Sequence, residues 1–327
     1  MRKFFKALIV ASMLISFSPT SAMPVWTLPA DGVKLEGSAK QDYVKSKMDV
    51  VYKRAKGARH PFSRFDTPDG WSYEKFTVDG VKVELLDNPN AKTNRVVLHL
   101  HGGGYILPLD NGHRNLGMVQ GVLADAAQVY LLDYRITPQN VYPAALDDAV
   151  KVYKKILSDG VNPSNIIVTG DSAGGNLALE LSLYLKQNKM AQPKCLVLIS
   201  PWATMTTNLP SRKYNDNRDL ILGKGTPLYE GVQKKSPYAG KMNLNDPRLS
   251  PIYADLKGLP PMLIQVGAYE LFLDEGIELA KKAAADDVKV TLTVYPGMSH
   301  DFALLLPELQ DSVDSFVEIR DFINANF

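Results

Sequence analysis

The chain reads as an α/β protein with a mostly parallel central sheet flanked by helices, and two observations predict this. Short apolar runs recur along the chain, and longer amphipathic segments separate them. Strand and helix in alternation build a parallel sheet covered on both faces. The size is compatible: 327 residues exceed one average domain, but single α/β domains with an added lid reach this length. Apolar residues make up 45% and charged residues 22%, the balance of a globular chain with a sizeable core.

The first residues read as an export signal. Arg2, Lys3 and Lys6 give a basic start, Ala7 to Phe17 an apolar run, and Thr20-Ser21-Ala22 a small-residue cleavage site. The apolar run is too short to cross a bilayer, which takes about twenty residues. Cleavage after Ala22 is expected, giving an exported protein, periplasmic or secreted, with no stable membrane anchor. Without residues 1–22, Lys and Arg number 34 against 35 Asp and Glu. The chain then lacks the basic cluster that phosphate contacts demand, so no nucleic-acid partner is expected. Cys195 is the only cysteine, which excludes an internal disulfide and suits a core position.

Residues 23–75 are expected to form an N-terminal arm or cap. Met23 to Asp69 is polar and irregular, except that Tyr43, Val44, Met48, Val51 and Tyr52 recur at helical spacing within Gln41 to Lys56. The catalytic domain is expected over residues 76–327. Its strands are predicted at Val81 to Leu86, Arg95 to Leu100, Val129 to Asp133, Ile166 to Thr169, Cys195 to Ser200, Met262 to Val266 and Val288 to Tyr295. Helices are predicted at Arg114 to Ala126, Ala144 to Leu157, Gly175 to Gln187, Asp274 to Ala285 and Glu308 to Ala325. Between Ala203 and Leu249 no strand pattern appears, and Asn, Lys, Pro and Gly are frequent. So long an insertion between core strands reads as a functional lid.

Chemistry is concentrated in a few loops. Gly170-Asp171-Ser172-Ala173-Gly174-Gly175 follows a predicted strand and opens a helical run. This is the G-x-S-x-G elbow, in which a sharp turn exposes a serine hydroxyl and glycines on either side leave room for it. His101-Gly102-Gly103-Gly104 follows another strand. Consecutive glycines let backbone N–H groups approach a reacting carbonyl, so Gly102, Gly103 and Gly104 with Ala173 are expected to form an oxyanion hole. A phosphate loop would need a Lys-Ser/Thr pair or a full G-x-G-x-x-G, and neither follows.

A serine nucleophile needs a base and an acid behind it. Of His60, His99, His101, His113 and His300, only His300 occupies a loop after a late strand, where the sheet's C-terminal edge turns towards Ser172. His101 reads as a structural part of its loop. Glu270 stands nearest the end of the strand Met262 to Val266 and is the expected acid. Asp274 remains the alternative, although acids in a helix's first turn also favour its dipole. The order Ser172, Glu270, His300 is that of the α/β-hydrolase fold.

These residues resemble the hormone-sensitive-lipase family of bacterial esterases. Its two signatures are met by His101-Gly102-Gly103-Gly104 and Gly170-Asp171-Ser172-Ala173-Gly174-Gly175. Similar segments are Asp133-Tyr134-Arg135-Ile136-Thr137-Pro138, Tyr142-Pro143-Ala144-Ala145, Ser200-Pro201-Trp202, Leu259-Pro260-Pro261 and Gly297-Met298-Ser299-His300. The resemblance covers about residue 80 to the C-terminus. It implies a carboxylic ester hydrolase of short to medium acyl chains, without cofactor or metal, capped by the N-terminal arm and an insertion. It implies the triad Ser172, Glu270 and His300 and a small-molecule ester as the partner. Many members carry Asp where this chain has Glu270, and a glycine where it has Asp301. Trp26, Trp71, Tyr105 and Trp202 are candidates for the pocket wall. Two other readings are open: a non-catalytic ligand-binding protein on a hydrolase scaffold, as the plant gibberellin receptors are in this family, and an amide or peptide hydrolase.

Overall fold

The structure is a computed structural model that describes residues 27–56, 65–233 and 236–327. The expected signal over residues 1–22 and the candidate Trp26 lie outside them. The elements run α1 (Gly37–Lys56), β1 (Ser72–Val78), β2 (Val81–Asp87), β3 (Val96–Leu100), α2 (Asn111–Leu123), β4 (Gln128–Asp133), α3 (Ala144–Ser158), β5 (Ile166–Asp171), α4 (Ser172–Gln187), β6 (Cys195–Ile199), α5 (Ser211–Tyr214), α6 (Tyr229–Gln233), β7 (Met262–Gly267), α7 (Leu273–Ala285), β8 (Val290–Tyr295), α8 (Phe302–Leu305) and α9 (Gln310–Asn326).

The strands form one sheet in the order β1-β2-β4-β3-β5-β6-β7-β8. β2 pairs antiparallel with β1 and β4, and every other pairing is parallel. Each residue of β3, β5, β6 and β7 is buried, which requires cover on both faces and explains their unbroken apolar runs. Burying a Val, Leu or Ile side chain there stabilises the fold by about 1.5–3 kcal/mol. Covering helices pack in pairs, α3 with α4 and α2 with α9. Cys195 is buried in β6.

The sequence reading missed β1. Only Val78 of its residues is buried, with Tyr73 and Phe76 half-buried and the rest exposed, so no apolar run marks this edge strand. The helices also begin earlier than expected at α2 and α4: the Asp110 carboxylate caps α2 by accepting the His113 N–H at 3.1 Å, and α4 opens at Ser172 itself.

The arm is tied to the far end of the chain. Val33 bridges Leu309, the Lys40 ammonium donates to Asp311 at 2.8 Å, and the Tyr43 hydroxyl donates to Glu308 at 2.8 Å. Gln41 and Lys40 also donate to the carbonyls of Gly297 and Pro296, at 2.7 and 3.1 Å. Val44 and Met48 are buried on the inner face of α1. In the insertion, the described residues form short helices and turns and no strand. Among the described residues no helix is long and apolar enough to cross a membrane.

Candidate active site

The elbow at the end of β5 is sterically closed around its glycines. A Cβ on Gly170 would come within 2.3 Å of the Gly174 carbonyl oxygen, and one on Gly174 within 1.9 Å of the Leu100 carbonyl oxygen. Any side chain there forces strand and helix apart. Ser172 itself sits at φ 50°, a left-handed conformation that costs a serine free energy and persists where its surroundings impose it. Ala173, next in α4, is fully buried, and a helix leaves its first N–H groups without intrahelical partners.

The loop after β3 packs against this turn. A Cβ on Gly102 would meet the Asp171 Oδ2 at 2.1 Å, so only glycine lets the loop lie so close. Gly103 and Gly104 have φ of 98° and 64° and line the cavity described below. His101 turns away from the site: its Nδ1–H donates to the Gly102 carbonyl at 2.7 Å, and its ring stacks on Tyr134 with centroids 4.1 Å apart. Burial pushes its pKa down to about 3, and that of His99, inside β3, to about 4. Both rings are neutral scaffold.

His300 arrives on the loop after β8. Its Nε2 lies 2.9 Å from Ser172 Oγ, and its Nδ1 lies 3.0 Å from Glu270 Oε2. Glu270 is fixed from behind, because its Oε1 accepts the Gly267 N–H at 3.0 Å. The Phe272 ring meets the imidazole edge-on, with centroids 4.8 Å apart. Burial raises the Glu270 pKa to about 6 against the opposing pull of His300 and the Ser200 hydroxyl. Burial alone would depress His300, but Asp301 and then Glu270 reverse this and hold the ring well above its ordinary value.

Asp274 is used elsewhere. Its carboxylate accepts the Ser211 N–H at 2.7 Å and the Tyr214 hydroxyl at 3.0 Å. Glu275 beside it takes the Thr204 N–H at 3.0 Å and the Arg212 Nε–H at 2.9 Å. Both acids therefore clamp the insertion onto α7. The reading of these acids as dipole partners missed this, since Ser211 and Arg212 are far away in sequence.

A cavity of about 520 Å³ opens onto Ser172 and His300. Its walls are mostly apolar: Met48 from α1, Ile221, Leu222, Leu228 and Val232 from the insertion, and Leu304 and Leu305 from α8. Trp202 lines it too. Tyr105 does not, which corrects the sequence reading: it is fully buried, stacked on Tyr238 with centroids 3.6 Å apart, and its hydroxyl donates to Asn176 at 2.7 Å. Trp71 instead packs beside Gly121 of α2.

One polar group in the wall had no sequence signal. His113 Nδ1–H donates to Asp110 Oδ1 at 2.8 Å, and its Nε2 lies 3.4 Å from Asp171 Oδ2. Burial opposes a charge on this ring, but Asp171 and Asp110 raise its pKa to about 10. It stands as a cation beneath the elbow. Asp171 and His113 are distant in sequence, so spacing alone does not pair them.

Residues 97–304 match the alpha/beta hydrolase fold family. An esterase of Acinetobacter venetianus is 36% identical over 75% of this chain and 80% of its own length. An acetyl-hydrolase of Streptomyces hygroscopicus is 34% identical over 77% of this chain and 80% of its own. Among solved structures, an esterase from the bacterial hormone-sensitive lipase family is 31% identical, with a TM-score of 0.77 over 89% of this chain and 99% of that one. The chain belongs to the α/β-hydrolase family, among its hormone-sensitive-lipase-like esterases of the carboxylesterase type.

Proposed function

We propose that the protein hydrolyses esters of short to medium acyl chains with Ser172 as nucleophile, His300 as base and Glu270 as the acid that orients it. One observation carries the reading: an unbroken run of contacts from Glu270 through His300 to Ser172 ends at the floor of an apolar cavity. In this chemistry the Ser172 proton passes to His300 Nε2 as Oγ bonds to the ester carbon. The carbonyl oxygen becomes anionic among the N–H groups of Gly102, Gly103, Gly104 and Ala173, each such donor contributing about 3–4 kcal/mol. Nε2–H then protonates the departing alkoxide, and water repeats the cycle on the acyl-enzyme to release the acid. Glu270 keeps Nδ1–H pointed away from the serine and stabilises the imidazolium that forms.

The cavity volume falls in the range of small-ligand sites, which are mostly apolar with a few polar anchors. Export of the chain, periplasmic or secreted, is part of the proposal and rests on Arg2, Lys3, Lys6, the apolar run and Thr20-Ser21-Ala22.

Replacing Ser172 by alanine tests the reading. On p-nitrophenyl butyrate, kcat is expected to fall by on the order of 10⁶ with the melting temperature near that of the unaltered chain. Substantial residual turnover by S172A removes the proposal. A series of acyl lengths, with a matched ester and amide, separates esterase from amidase chemistry, and absence of turnover on every ester favours a binding protein.

A further inference from the structure

The chemistry above leaves one carboxylate at the cavity floor unused. Asp301 follows His300, is buried, and lines the cavity. Its Oδ2 lies 3.0 Å from His300 Nε2, the same nitrogen that stands 2.9 Å from Ser172 Oγ. Its Oδ1 is buried with no hydrogen-bond partner. A ring nitrogen has one in-plane position, filled by either a hydrogen or a lone pair. Ser172 can surrender its proton only to the lone pair. An ionised Asp301 is satisfied only by the hydrogen. The two neighbours thus require opposite protonation states of one atom.

We propose that Asp301 competes with Ser172 for His300 Nε2, so that the empty site rests as an imidazolium held between two carboxylates and Asp301 sets the pH above which the base is free to act. The inference rests on the proposed Ser172–His300 chemistry and adds a residue to it. The activating step is loss of the Nε2 proton to solvent, which leaves the lone pair facing Ser172 Oγ.

The two partners hold each other's charge against burial. Glu270, from the turn after β7, holds the opposite ring nitrogen and with Asp301 favours the cation, while Asp171, from the end of β5, opposes the charge on Asp301. His113 of α2 also lowers the Asp301 pKa, with His101 and His99 behind it neutral. Burial raises the Asp301 pKa to about 6, with His300 as the chief opposing influence. Asp301 therefore carries its charge at neutral pH mainly because the ring carries the opposite one. Its backbone is in the left-handed region, φ 50°, with its N–H donated to Ser200 Oγ at 3.1 Å. Asn and Gly also tolerate that conformation, so they remove the charge without adding strain.

The test is the pH profile of kcat/KM on p-nitrophenyl butyrate for the unaltered chain, D301N and D301G. The acid limb should move down by about one pH unit or more in both variants, so that just below the original limb activity relative to the plateau rises about tenfold. A residue with only a structural role lowers activity at every pH and leaves the limb in place; that result overturns the inference. A second readout needs no variant of Asp301: nitrogen NMR of the unaltered chain, with the His300 ring assigned by its loss in H300Q. The ring should remain doubly protonated at neutral pH, and titration near the free-imidazole value overturns the inference. Either failure leaves the Ser172 reading standing if S172A is inactive, whereas an active S172A removes both.

Discussion

At Glu270 and Asp274 two carboxylates on one short stretch perform unlike tasks, and the difference lies in where their oxygens point. Glu270 Oε2 faces the imidazole, while both Asp274 oxygens are occupied by Ser211 and Tyr214 of the insertion. E270Q is expected to lower kcat by about 10⁴ while leaving measurable turnover, since the amide presents the wrong partner to Nδ1–H. D274N should keep kcat within a few-fold of the parent. Steady-state kinetics of the two variants decide, and the reverse ranking moves the acid to Asp274. The serine, the glycines and the histidine were legible in the sequence because each is bound to a local geometric need: a turn, a close approach, a loop after a strand. The pairing of His113 with Asp171 was not. It depends on which loops the fold stacks together, and nothing in residue spacing encodes that.

The insertion is held by a buried ion pair. Arg212 lies between Glu275 of α7, the Val232 carbonyl in the cavity roof and the Phe272 ring, with its Nη1–H donating to Val232 at 2.6 Å and its guanidinium 4.4 Å from the ring centroid. Removing one member strands the other's charge in the interior, at a cost of about 3–5 kcal/mol. R212M should therefore melt well below the parent, and its roof should loosen so that KM rises more than kcat falls. Adding E275L to R212M should recover much of the stability, because an apolar pair leaves no orphaned charge. Calorimetry on both variants measures this, and equal melting of R212M and parent excludes the clamp. The elements most legible in the sequence were those buried on both faces. β1 escaped because it is mostly exposed, with Val78 its one buried residue, yet its link to β2 carried a signal: Asp79-Gly80, with φ of 48° and 83°, joins Val78 to its partner Val81. An Asp-Gly pair between apolar residues is the preferred two-residue hairpin turn.

Glu84 and His113 set opposite pH limits on stability. Glu84 accepts from Arg114 Nη2–H at 2.8 Å; burial opposes its charge, but Arg114, Tyr73 and Lys75 lower its pKa from 4.5 to about 2. Its folded value is below its unfolded one, so its contribution is complete above about pH 4.5 and lost as pH falls towards 2. His113 works in the opposite sense. With a folded value near 10 against an ordinary 6.5, its contribution is complete below 6.5 and lost as pH rises towards 10. Both contributions are complete between about pH 4.5 and 6.5, and in melting temperature against pH E84Q should flatten the acid side and H113Q the alkaline side. A curve still rising above pH 8 contradicts the assignment of His113 as a cation.

The bonds from Lys40, Gln41 and Tyr43 to residues 296–311 bear on how the protein is made. A ribosome delivers the arm well before the surface that receives it, which lies 256 to 271 residues further along the chain. Nascent chains must therefore hold α1 without its seat through most of synthesis, and Met48 reaches its place over the cavity only after Glu308 and Asp311 have emerged. Seating the arm thus depends on contacts of very long sequence separation, whose loop-closure entropy makes them slow to form.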